Sequence, residues 1–160
     1  MKRRFEARTA CAILALAVFA AAPVFFAAGQ AKAPPVPGSW AISIVKSEIT
    51  PTAKFYSVKI DGKPVEIFAV RASDGSIRTA LNTCQICYAS GRGYYRQEGS
   101  VFVCQNCGNR FSLDQIGKVR GGCNPIPILG KDKTDQGDFI GISERYLRSV
   151  APYFAKWRKT

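Results

Sequence analysis

The chain has 160 residues, 47% of them hydrophobic, enough for one domain with its own core plus a short extra segment. It carries a formal charge of +12 and no histidine. The missing imidazole excludes CxxCH haem attachment, mixed Cys/His zinc fingers, Rieske ligation through two imidazoles and histidine-based acid/base catalysis.

Lys2, Arg3, Arg4 and Arg8 precede a run from Ala10 to Ala28, 19 residues without a charge. As a helix this run would extend about 28 Å, close to the thickness of a hydrocarbon core. Its Ala richness, Pro23 and the small residues around Ala31-Lys32-Ala33 also fit a cleavable export signal. Residues 1–30 therefore read as a signal peptide or a single transmembrane helix, with Cys11 an incidental apolar side chain within it. Either way the early cations stay in the cytoplasm. The remainder then faces the periplasm from a bacterial inner membrane, or is free in the periplasm if the signal is removed.

Residues 31–39, with Pro34, Pro35 and Pro37, read as an extended tether to a globular domain over 40–160. Five cations and one anion lie before Pro34, so the rest still carries +8. Such a charge draws a domain to anionic membrane surfaces or acidic partners. The dispersed cations and the exported compartment argue against nucleic acid.

Ala41 to Ile49 is the first expected strand. Tyr56, Val58 and Ile60 alternate with polar residues up to Asp61-Gly62, a tight-hairpin signal, and Val65 to Arg71 forms the return strand. A second Asp-Gly, Asp74-Gly75, leads into a strand from Ile77 to Leu81 that delivers the chain to Cys84. Tyr94 and Tyr95 open another hairpin through Glu98-Gly99-Ser100, and Val101-Phe102-Val103 leads to Cys104. Phe111 and Leu113 flank Ser112 in strand-like alternation. A glycine-containing loop then reaches Cys123, and Asp138 to Ile142 is the last strand. Ser143 caps a helix from Glu144 to about Val150, which Pro152 interrupts, and Lys156-Trp-Arg-Lys is a cationic tail expected to fray. Short strands with one helix give a mainly β, antiparallel domain with its two CxxC knuckles on hairpins.

Cys84-Gln-Ile-Cys87 and Cys104-Gln-Asn-Cys107 are separated by 16 residues. That spacing lets two tight turns each offer two sulfurs to one soft-metal centre. Gly108 supplies the positive φ needed after the second knuckle, where the first has Tyr88. Cys84, Cys87, Cys104 and Cys107 are thus the expected metal ligands. A single tetrahedral ion, zinc or iron, and a [2Fe-2S] cluster both satisfy the spacing.

Disulfides suit an exported chain, but a CxxC pair closes too small a loop to staple much. Thiol-disulfide exchange wants CxxC at a helix N-terminus, and neither pair opens a helical pattern. Cys123 is left as a further ligand, a redox thiol or a buried small side chain. Arg92, Arg96, Arg110, Lys118 and Arg120 flank the knuckles in sequence, and Tyr94, Tyr95, Phe102 and Phe111 are candidates to shield the centre. Hydrolase and transferase chemistry lack support: there is no close carboxylate pair and no phosphate-binding glycine loop.

Several pieces together resemble the FtrD-like family of membrane iron-sulfur proteins: Ala80-Leu-Asn-Thr-Cys84-Gln-Ile-Cys87, Gly93-Tyr-Tyr95, Val103-Cys104-Gln-Asn-Cys107-Gly108, Arg110-Phe111, Ile116-Gly117-Lys118 and Gly121-Gly-Cys123-Asn-Pro-Ile-Pro127. The resemblance spans about Val65 to Ile128. It implies an iron-sulfur cluster or single iron on the exported face, in systems linked to iron uptake and membrane electron transfer. The implied partner is a membrane redox or iron-transport protein. Members of the family often carry several membrane spans, whereas this chain has at most one. The order of strands and ligand loops also looks like a Rieske-type or zinc-ribbon scaffold, an analogy of fold alone. The resulting expectation is a non-catalytic electron carrier. A structural zinc-type interaction module and a thiol-disulfide exchange protein are the alternatives.

Overall fold

The computed structural model describes residues 40–118 and 121–159. The expected signal or membrane helix, the tether and Arg120 lie outside the described residues. Among those described, no helix is long and apolar enough to cross a membrane.

Among the described residues ten strands run antiparallel in three sheets: β1 (Trp40–Val45), β2 (Lys54–Ile60), β3 (Lys63–Arg71), β4 (Ile77–Cys84), β5 (Tyr95–Glu98), β6 (Val101–Cys104), β7 (Arg110–Ser112), β8 (Pro125–Pro127), β9 (Thr134–Gln136) and β10 (Phe139–Ser143). Their orders are β1-β10-β9, β2-β3-β4-β8 and β5-β6-β7. The expected β2–β3 hairpin forms, with Asp61 (φ 49) and Gly62 (φ 76) both left-handed in its two-residue turn. Ser143 caps α1 (Glu144–Val150), its hydroxyl accepting the Tyr146 N–H.

Some expected bounds move. The first strand stops at Val45, and a 3-10 turn (Lys46–Glu48) follows. β4 runs on to Cys84 itself, and β8 and β9 went unforeseen. Short strands rich in proline or flanked by charge lack the alternation that marks longer ones. β8 pairs only at the edge of β4, where a missing proline N–H is tolerated. α1 ends at Val150 as expected, and Pro152 falls in the 3-10 turn that follows (Ala151–Phe154), at a position whose N–H would be unpaired anyway.

In the central four-stranded sheet β3 and β4 are buried on both faces, which explains the nearly continuous apolar run of β3. Val65, Ile67 and Ala69 on β3, with Leu81 on β4, face a first core closed by Ile44, Ile140, Ile142, Leu147 and Phe154. The alternate positions Phe68 and Val70 on β3, with Ala80 and Cys84 on β4, face a second core shared with Tyr95, Phe102, Cys104 and Ile116. Strand parity thus sets Cys84 on the face that receives the third sheet. Phe68 stacks on Phe102 with ring centroids 4.5 Å apart across that junction.

Polar clamps hold the third sheet as well. Gln97 on β5 accepts the Ala53 N–H (2.6 Å) and donates to the Pro51 carbonyl (2.7 Å). Asp114, in the 3-10 turn after β7 (Leu113–Gln115), accepts the backbone N–H and the hydroxyl of Ser73, each at 2.8 Å, and these bonds hold its carboxyl below the usual range. In the β3–β4 turn, the Ser76 hydroxyl and N–H hold Asp74 down to about 2. Both folded pKa values lie below the unfolded value of about 4. Their stabilisation is therefore present above that pH and lost as pH falls through the folded values. The thermal midpoint should drop on acidification below about pH 4, and less steeply in Asp114→Asn. Identical acid slopes in the two proteins would contradict the clamp.

Candidate metal centre

Cys84 is the last residue of β4, and its Sγ accepts the N–H groups of Ile86 (3.4 Å) and Cys87 (3.2 Å) as the chain turns. Cys87 opens a 3-10 turn (Cys87–Ser90), so neither CxxC pair opens an α-helix. Cys104 ends β6, and the second knuckle closes with its N–H on the Asn109 carbonyl and the Gly108 N–H on the Cys104 carbonyl, both 2.9 Å. Gly108 takes the positive φ required there, 77°. The second knuckle lies in the β6–β7 hairpin as expected. The first does not lie in a hairpin: β4 pairs with β8 beyond its ladder to β3, and β5 belongs to another sheet, so the first knuckle bridges two sheets.

That bridge is tight at Gly93. Its carbonyl accepts the Cys84 N–H at 2.6 Å, and a Cβ there would stand 2.7 Å from the Cys87 carbonyl carbon and 2.9 Å from the Tyr88 nitrogen. Backbone cannot yield as a side-chain tip can. Gly93→Ala is expected to cost about 2 kcal/mol through this overpacking and to loosen the first knuckle. Urea titration checks it, and an unchanged midpoint would refute the close approach.

The loop after Gly117 delivers the fifth cysteine to both knuckles. Gln85 grips it twice, its side chain accepting the Gly121 N–H and its backbone N–H donating to the Asn124 carbonyl, both 3.2 Å. Beyond it, Pro125 of β8 sits in register with Cys84. The Cys123 Sγ then lies 3.2 Å from that of Cys84, 3.7 Å from that of Cys87 and 2.7 Å from that of Cys107. The sulfurs of Cys84, Cys87, Cys104 and Cys123 all lie within 4.8 Å of one another and could hold a metal ion. Cys84 and Cys104 are buried, Cys87 and Cys123 half-buried, and Cys107 exposed. The five cysteines converge, but the sequence reading gave Cys123 no firm part in the site.

The donor set fits a soft ion, since it consists of thiols alone. Within it, the Cys104 thiol donates to Cys84 and, with the Cys87 N–H, holds Cys84 down to about 4 against the opposing effect of burial. Cys104, the donor in that pair, is pushed far up, an effect burial reinforces. Burial also pushes up Cys87 and Cys123. At Cys107 burial is the largest single influence and raises the thiol, but donation from Cys123 and the Asn109 N–H together outweigh it, and the thiol is lowered.

Of the four aromatic residues expected near the cysteines, Tyr95, Phe102 and Phe111 pack in the core that holds Cys84 and Cys104, whereas Tyr94 stands edge-on to Trp157. Tyr95 is buried, donates its hydroxyl to the Cys123 carbonyl at 3.0 Å and stands edge-on to Phe111. The cations near the knuckles are largely engaged with neighbours: Arg110 pairs with Glu98 at 3.0 Å, Lys118 with Asp74 at 3.8 Å, and Arg96 lies over the Tyr94 ring. Arg92 bonds the Gln105 carbonyl of the second knuckle at 3.3 Å.

Residues that sequence reasoning missed brace the site. Asn82 on β4 donates to buried Glu66 (2.6 Å) and accepts the Tyr95 N–H (2.7 Å). Glu66 also receives Ser57 (2.8 Å) and Lys159 (2.7 Å). The cationic tail does not fray. The Trp157 indole donates to the Asn82 carbonyl (2.9 Å), and the Arg158 N–H donates to the Gly91 carbonyl (2.8 Å), beside the first knuckle. The visible signal was a carboxylate and an amide inside otherwise apolar buried strands, which only a paired network can hold.

No curated protein matches the chain, and no solved structure does. The profile of one family, described as membrane iron-sulfur containing protein FtrD-like, matches residues 50–154. The match takes in every cysteine of the cluster, the strands that carry them and about two thirds of the sequence. The chain belongs to the FtrD-like family of membrane iron-sulfur-containing proteins.

Proposed function

We propose that this chain is an iron-binding thiolate protein that carries electrons at a membrane, in iron uptake or a related redox chain. The observation that carries the reading is the convergence of five thiols at one partly exposed place, in a chain without histidine. Cysteines drawn from both knuckles, together with Cys123, would hold the iron, and bound iron supplies a one-electron couple. The protein's own groups suit that task. N–H donors to the Cys84 sulfur favour the more negative, reduced state, and Tyr95 and Phe111 limit water. Exposed Cys107 brings the cluster to the surface, where a partner can approach closely.

The partner in this reading is a membrane redox or iron-transport protein on the exported side. Residues 1–30 anchor or export the domain, and the proline-rich segment over 31–39 sets its reach. The test uses the full chain, purified without air in detergent. Iron should co-purify with thiolate charge-transfer absorption that bleaches on reduction and returns on oxidation. A colourless zinc-loaded protein with no reversible couple would establish the structural-metal alternative instead. Cysteines that exchange with a disulfide substrate in a metal-free native protein would establish the thiol-exchange alternative.

A further inference from the structure

We infer that Cys84, Cys87, Cys104 and Cys123 form the inner ligand set around one metal ion, and that Cys107 stands outside it as a solvent-facing thiol. The inference deepens the iron-thiolate reading and rests on it. It departs from the motif, which would use both members of each CxxC.

Three observations carry it. First, among the described residues the sulfurs of those four form a mutually close group, every pair within 4.8 Å. Four sulfurs about 2.3 Å from one tetrahedral ion stand about 3.8 Å apart, whereas a disulfide needs about 2.05 Å. The separations from Cys123 to Cys84 (3.2 Å) and to Cys87 (3.7 Å) lie near the first value and far from the second.

Second, Cys123 is held in place by groups outside the cluster. Gln85 fixes its loop on both sides, and the Tyr95 hydroxyl holds its carbonyl at 3.0 Å. Such fixing gives a ligand its position before an ion arrives. Cys107 sits at the exposed tip of its knuckle, 2.7 Å from Cys123 but outside the mutually close group.

Third, the arrangement argues against a binuclear cluster. A [2Fe-2S] centre assigns one thiolate pair to each iron and sets two bridging sulfides between the pairs. Here Cys123 lies 3.2 Å and 3.7 Å from the two sulfurs of the first knuckle, and the Cys104 sulfur of the second lies within 4.8 Å of all three, a spacing that suits four ligands about one ion better than two pairs set apart by sulfides.

The experiment uses the full chain in detergent, without air: wild type, Cys107→Ser and Cys123→Ser, each loaded with ferrous iron and passed through a desalting column. Wild type and Cys107→Ser should each keep about one iron per chain with no acid-labile sulfide, and Cys123→Ser should lose affinity at least about tenfold in chelator competition. Alkylation mapping of loaded wild type needs no variant, so it holds even where Cys123→Ser fails to fold. Cys107 should label, with the other four protected. Equal losses in the two variants, protection of Cys107 or about two labile sulfides per chain would overturn the assignment. If wild type retains no metal at all, the iron-thiolate reading falls and this inference with it.

Discussion

Asn82→Ala is expected to lower stability by about 3 kcal/mol, although Asn82 offers no ligand atom to the centre. Its amide donates to Glu66 at 2.6 Å and accepts the Tyr95 N–H at 2.7 Å, so truncation strands a buried donor and removes one donor from a buried carboxylate. A hydrogen bond to a charged group contributes about 1.5–3 kcal/mol, and an unpaired buried group costs about 1–3 kcal/mol, so a total near 3 kcal/mol is moderate. The damage should spread toward the thiols. Tyr95 is the first residue of β5, and its hydroxyl holds the Cys123 backbone, so a shift there moves the fifth cysteine. The urea midpoint should fall at unchanged slope, and iron retention should weaken with it. A midpoint within about 0.5 kcal/mol of wild type would mean that water replaces the amide and that the network is not structural.

Much of this organisation was legible in the chain, for local reasons. Asp61-Gly62 demands left-handed backbone at both turn positions, and Ser143 presents a hydroxyl one residue before an apolar helical face, so a few neighbouring residues decide each element. The knuckles were legible because two-residue spacing and a following glycine are local too. The role of Cys123 was hidden. It depends on Gln85 gripping a distant loop and on β8, a strand of two prolines around one isoleucine, pairing with the edge of β4. The bracing by Trp157 and Lys159 was hidden for the same reason, since a cationic tail reads as solvated until its partners on β3 and β4 are known.

Stripping the ion should loosen the third sheet and leave the first core intact. The first core contains no cysteine, and its β1-β10-β9 sheet, α1 and Phe154 close on one face of β3. The second core includes Cys84 and Cys104 themselves, one at the end of β4 and the other at the end of β6. An ion bound between them would tie the central sheet to the third sheet, and binding confined to the folded state would add about 4 kcal/mol when free metal stands about a thousandfold above Kd. Without it, the Phe68–Phe102 stack and the Gln97, Asp114 and Asn82 bonds remain as the junction. Local opening there then needs less free energy than global unfolding. Hydrogen exchange with and without chelator resolves the two regions. Amides of β5, β6 and β7 should exchange faster in the stripped protein, while those of β1, β3 and β10 keep their protection. Uniform loss of protection would make the ion essential to the whole domain, and unchanged protection of β5–β7 would mean that the aromatic and polar junction holds the sheets together without it.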